Sequence, residues 1–220
     1  MGGVVSSIVD GLDDAAGKRQ TALDATNSLV ELAESQHEIY REKILNDAKA
    51  TAEKLVPIDT ILNSTYDVRA KVSSDAEDLG DDIGQVVSQF ASGEFLQGIK
   101  TIVGRGLKVL MGSYSGSIAK KENYLVSVGP LGGVFRIDYF LYSYRFQSEQ
   151  LKKDVDNVLL YSIVVSSVDL KALNRNTINV ILQSKYGDLV GPDGKAAVNL
   201  QEMREMIWKE VQLAKGIVQP

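Results

Sequence analysis

The sequence predicts a mainly α protein: a bundle of long antiparallel amphipathic helices, with a small β-hairpin near residues 123–135 as its one addition. Three observations predict it. Residues 20–56 contain neither Gly nor Pro. Within them Leu23, Thr26, Val30, Ala33, His37, Tyr40, Ile44, Ala48 and Leu55 recur at helical spacing. Residues 134–168 carry a second stripe, Ile137, Leu141, Tyr144, Leu151, Val155, Val158 and Leu159. Opposite it lie Asp138, Arg145, Glu149, Lys152 and Asp156. Phe135, Ile137, Tyr139 and Leu141 also alternate as a strand would, but the longer helical pattern is preferred. Residues 94–110 carry a third stripe, with Lys100, Arg105 and Lys108 on the polar side.

The elements follow in chain order. Val4, Val5, Ile8, Val9 and Leu12 share one side of a short amphipathic segment, residues 1–19. The helix over 20–56 stops at Pro57, because the residue before proline is pushed out of helical geometry. A second helix is expected over 58–72. Ser74 and Glu77 have the spacing of a capping box. The stretch from Gly80 to Gly133 holds eleven of the nineteen glycines, and each glycine in a helix interior costs about 1 kcal/mol relative to alanine. Tyr124, Val126 and Val128 alternate before the turn sequence "GPLGG". Residues 170–186 form a shorter helix or strand, and "GDLVGPDGKAA" is a loop. Asn199 caps a last helix, with Glu202 at its third position and Leu200, Met203, Ile207, Val211 and Ala214 on its apolar side. The domain reading is an N-terminal segment, 1–19, and one helical domain, 20–220, containing the Gly-rich apolar segment 80–133.

Composition narrows the function classes. The chain has 220 residues, 44% hydrophobic and 24% charged, which suits a globular core. It has no cysteine, so disulfides and thiolate chemistry are excluded. The net charge is −5 and the acid is concentrated in the first half, so nucleic acid is not an expected partner. No apolar run approaches the ~20 residues of a spanning helix, and the start lacks the basic and long apolar regions of a secretory signal. The expected location is intracellular, either cytoplasmic or peripheral to a membrane.

No catalytic constellation emerges, and no cofactor or metal is expected. His37 is the only histidine and lies on an apolar helix face. The acidic run Asp75, Glu77, Asp78, Asp81 and Asp82 begins like a calcium loop, but Leu79 takes a ligand position and Val86 stands where the bidentate acid belongs. "GRGLKVLMG" and "GPDGKAA" both lack the spacing of a phosphate loop.

Two functions remain. The first is a non-enzymatic, membrane-associating and membrane-permeabilising protein. Gly2 with Ser6 fits an N-myristoylation pattern. A single myristoyl chain binds only marginally, so a second signal is required. The lipid-facing candidates are Phe95, Leu96, Ile99, Ile102, Val103, Leu107 and Leu110, and the headgroup candidates are Lys100, Arg105 and Lys108. Long helices flanking a Gly-rich apolar segment are similar in order to helical pore-forming toxins, a likeness of architecture alone. The second function is a soluble helical scaffold that self-associates or binds a partner helix. Exposure or burial of Leu96, Ile99, Ile102, Val103 and Leu107 separates the two.

Overall fold

A computed structural model describes residues 16–49, 56–70, 76–112, 118–145, 157–189 and 198–217. Its centre is a four-stranded antiparallel sheet, which overturns the expected helical bundle. The strands are β1 (Ile58–Ala70), β2 (Ile118–Val128), β3 (Val134–Arg145) and β4 (Asn157–Val168), in the order β1-β4-β3-β2. The helices are α1 (Ala16–Lys49), α2 (Ala76–Val87), α3 (Gly93–Gly112), α4 (Arg175–Tyr186) and α5 (Leu200–Ala214).

Two predicted helices are strands. Residues 58–72 were expected to be helical, but Ile58–Ala70 pairs along β4, with Tyr66 opposite Ser162 and Val68 opposite Leu160. Thr, Ile, Tyr and Val dominate this segment, and such residues pack best on a pleated surface. The expected helix over 134–168 is the pair β3 and β4, in register from Phe135↔Ser167 to Arg145↔Asn157. Both strands are buried on both faces, so their sequences show near-continuous apolar runs rather than a clean period of two. In β3, Ile137, Tyr139 and Leu141 face one way and Phe140, Tyr142 and Asp138 the other, all buried. The hairpin near 123–135 is real but longer than expected, with β2 and β3 in register from Ile118↔Tyr144 to Val128↔Val134. Its turn is the predicted "GPLGG", where Gly132 and Gly133 adopt φ of 86° and 80°, a region open chiefly to glycine.

The helices are unequally shared between the two faces. On one face α2, α3, α4 and α5 build the larger core: Ile83 and Val87, the α3 stripe, Ile178, Ile181 and Tyr186, and Met203, Ile207 and Val211 close over Ile137, Tyr139, Leu141, Ile163 and Val165. The last helix starts as predicted, with the Asn199 side chain accepting a hydrogen bond from the Glu202 N–H. On the other face α1 alone contributes Ala33, Tyr40 and Ile44 to a smaller core with Ile58, Val68, Phe140, Tyr142, Leu160 and Val164.

The α3 glycines serve packing. A Cβ at Gly98 would sit 2.8 Å from a ring carbon of Tyr186, whose ring is fully buried and whose hydroxyl donates to the Val126 carbonyl at 2.7 Å. At Gly104 a Cβ would meet nothing within 4 Å. Gly98→Ala is expected to destabilise the fold by roughly 1–3 kcal/mol through overpacking. Gly104→Ala is expected to stabilise it by up to about 1 kcal/mol through helix propensity. Denaturant unfolding of both variants checks this, and equal effects would contradict the packing role.

Candidate interaction surface at helix α1 and the sheet beneath it

The residues singled out from the sequence for lipid contact lie in α3. Phe95, Ile99, Val103, Leu107 and Leu110 are buried in the larger core, and Leu96 and Ile102 pack against it half-buried. The structure brings the stripe together as an interior surface, so lipid contact through it would require α3 to leave the sheet. The basic residues opposite hold neighbouring elements. Lys100 pairs with Asp81 of α2 at 3.0 Å, and Arg105 donates to the Asp188 carbonyl at 3.2 Å. Lys108 is exposed. Gly2, the acylation candidate, and the rest of 1–15 lie outside the described residues, as do Ser74 and the "GPDG" turn. Among the described residues no helix is long and apolar enough to cross a membrane, and no cluster of ligating side chains could hold a metal. Asp82 ion-pairs with Arg69 and Asp81 with Lys100, so both of these carboxylates have structural partners.

Helix α1 stands apart. Its 34 residues span about 51 Å at 1.5 Å per residue. Among its described side chains the buried ones are Ala33, His37, Tyr40 and Ile44, a seam of about 17 Å by the same rise. Before Ala33, the described side chains of Asp24, Asn27, Ser28, Glu31 and Leu32 are exposed and Val30 is half-buried. On the side away from the sheet Leu32 is 37% and Ile39 58% exposed. These two lie seven residues apart, hence on one helix face.

The seam under α1 mixes apolar and polar contacts. Tyr40 stacks on Phe140 with ring centroids 5.1 Å apart, and its hydroxyl donates to the Tyr139 carbonyl at 3.1 Å. Burial, with the Asp138 carboxylate nearby, pushes the Tyr40 hydroxyl far above its ordinary pKa. His37 packs against Tyr66 with centroids 4.6 Å apart. Its Nδ1 shares a 2.6 Å hydrogen bond with Ser162 Oγ, the tautomer setting which of them donates. Ser64 Oγ lies 3.4 Å from Nε2 on the other side of the ring. Burial lowers the His37 pKa. A serine beside a histidine is the start of a nucleophile–base pair, but here Ser162 has no exposed surface and His37 only 4%. A substrate cannot reach Ser162 while α1 is docked. The helix edges are tied by Tyr66, which donates to Glu34, and by the Lys43–Glu122 ion pair.

A second polar cluster lies toward the β2 edge. Arg136 donates from Nε and Nη2 to Asp138 Oδ1, at 3.1 and 2.6 Å. Both side chains are almost fully buried, at 7% and 3% exposure. The Arg136 guanidinium lies 4.2 Å from the Tyr124 ring centroid and the Lys185 ammonium 3.8 Å from it. Lys185 also donates to Asn123 at 2.6 Å, and burial lowers its pKa. The sequence reading missed this cluster because it placed Asp138 on the solvent side of a helix. The strand-like alternation of Phe135, Ile137, Tyr139 and Leu141 was the signal that would have put Arg136 and Asp138 together on one sheet face.

Compared with protein-family models, curated proteins and solved structures, the chain matches none.

The Arg136–Asp138 pair gives a direct test of this face. Arg136→Ala is expected to cost roughly 3–5 kcal/mol, because it withdraws the guanidinium from a buried carboxylate. The double variant Arg136→Met, Asp138→Leu is expected to recover most of that loss in denaturant unfolding. A double variant as unstable as Arg136→Ala would contradict the account.

Proposed function

We propose that this protein is a non-enzymatic interaction module that works through α1, pairing it with a partner helix, and that the partner is a second copy of the chain. The observation that carries the reading is the apolar surface exposed on one side of α1, Leu32 at 37% and Ile39 at 58%. Among the described side chains before Ala33, Asp24, Asn27, Ser28, Glu31 and Leu32 are exposed and Val30 is half-buried. Isolated helical turns are marginal in water and gain their stability from packing of an apolar face. A helix with apolar side chains exposed on one side therefore offers a face for another helix. Leu32 and Ile39 supply exposed apolar surface on one side of it.

The exposed apolar pair favours self-pairing, because two copies overlapped antiparallel midway between these residues set Leu32 of each helix opposite Ile39 of the other. Membrane association through the α3 stripe needs the larger core to open, whereas pairing through α1 needs no rearrangement.

Size-exclusion chromatography with light scattering, at micromolar concentration, tests the reading. The wild-type chain is expected to run as a dimer. The double variant Leu32→Glu, Ile39→Glu is expected to run as a monomer with unchanged circular dichroism, since both side chains are exposed. A wild-type monomer across that range would contradict self-pairing. Co-sedimentation of that monomer with anionic vesicles would move the function to the lipid reading.

A further inference from the structure

We propose that α1 is an acid-released strap: protonation of His37 frees the helix from the sheet and uncovers the apolar face formed by Val68, Phe140, Tyr142, Leu160 and Val164. The inference concerns what holds α1 down and does not depend on what α1 pairs with.

The geometry makes α1 the weakest attachment in the fold. It is the one helix described on its face, and among its described side chains four are buried, of which one is the small Ala33 and one the polar His37. The facing core is shared by four helices. Regions with few buried apolar contacts open at a lower free energy than the rest of the fold. Within the seam His37 is central, with Ser162 of β4 at 2.6 Å, Ser64 of β1 at 3.4 Å and the Tyr66 ring at 4.6 Å. It is the only histidine in the chain, and histidine is the side chain whose ordinary pKa lies in the range where an acid switch operates.

The charges around it do not offset a buried imidazolium. On α1 itself Glu38 favours the charged ring and Arg41 opposes it, and burial outweighs both. Glu34, one turn back, is engaged by the Tyr66 hydroxyl. β1 faces the ring with the Tyr66 ring and the Ser64 hydroxyl, and β4 with the Ser162 hydroxyl. On β3 the charged pair is Arg136 and Asp138, whose fields bear on Tyr40, one turn along the helix. No carboxylate hydrogen-bonds either ring nitrogen in these contacts.

The direction follows from linkage. The docked His37 has a pKa below the ordinary 6.5, so the released helix binds the proton more tightly. Docking is at full strength above pH 6.5 and weakens as the pH falls toward the docked-state value. At about pH 5 exposed carboxylates remain mostly ionised, which separates this transition from general acid unfolding.

The absence of native cysteine allows a clean test. Donor and acceptor dyes are placed on Glu42→Cys of α1 and Asn179→Cys of α4, both exposed positions on opposite sides of the sheet. Energy transfer in the full chain is expected to be high and constant above pH 7 and to fall below pH 6.5. The single imidazole resonance, followed by NMR, is expected to titrate with the same midpoint. His37→Gln keeps a polar partner for the serines without titrating, and is expected to hold transfer high down to about pH 5. Transfer that is independent of pH in the parent chain would overturn the proposal, as would an unchanged acid transition in His37→Gln. If His37→Gln fails to dock at neutral pH, the imidazole decides: a titration midpoint matching the loss of transfer supports the strap, and a mismatch overturns it. Measuring transfer at nanomolar and micromolar concentration separates this result from the self-pairing reading, because loss of pairing alone changes transfer with dilution and not with the state of His37.

Discussion

Strands β3 and β4 carry large side chains on both faces, and burying both faces at once is the constraint from which the remaining architecture follows. Ile137, Tyr139 and Leu141 point one way and Phe140 and Tyr142 the other; in β4 Leu159, Ile163 and Val165 oppose Leu160 and Val164. An antiparallel sheet ordinarily leaves one face to water. This one cannot, since exposing either face would leave several large apolar side chains in solvent, each worth about 1.5–3 kcal/mol when buried. The chain therefore places β1 and β2 at the sheet edges and sends helices to both sides. The α3 stripe is spent on this requirement, and so is the seam of α1.

The two coverings differ in kind. Four helices interlock over one face, with Tyr186 packed on Gly98 and its hydroxyl bound to the β2 backbone. On the other face a single long helix lies across the sheet, tied at one edge by Glu34–Tyr66 and at the other by Lys43–Glu122. The exposed Lys43–Glu122 ion pair contributes little, about 0–1 kcal/mol. Most of the hold comes from Tyr40, Ile44 and the buried His37–Ser162 contact. Asymmetry of this kind concentrates conformational freedom in α1.

Parts of this were legible in the sequence and parts were not. The α1 seam, the α3 stripe, the "GPLGG" turn and the Asn199 cap each rest on local chemistry, and each was readable from a few residues. The sheet was not, because its central strands are buried on both sides and lose the alternation that marks a half-exposed strand. In 134–168 the spacing of Ile137, Leu141 and Tyr144 mimics a helical stripe, while the same residues serve different faces of β3. In 58–70 the β-branched residues Ile58, Thr60, Ile61, Thr65 and Val68 carry a strand signal that the expectation of a helix over 58–72 passed over. Sequence also left open whether the α3 stripe met lipid or core. That depends on what lies opposite it, which only the paired strands supply.

Native-state hydrogen exchange of the full chain at neutral pH, resolved along α1 and α3, measures how firmly each helix is held to the sheet. Amides in 33–44 are expected to exchange through a local opening of lower free energy than unfolding, while amides in 95–110 exchange only with the whole fold. Equal protection in the two helices would contradict a separately held α1. Exchange of 95–110 ahead of 33–44 would make α3 the opening element and return the apolar stripe to the centre of the function.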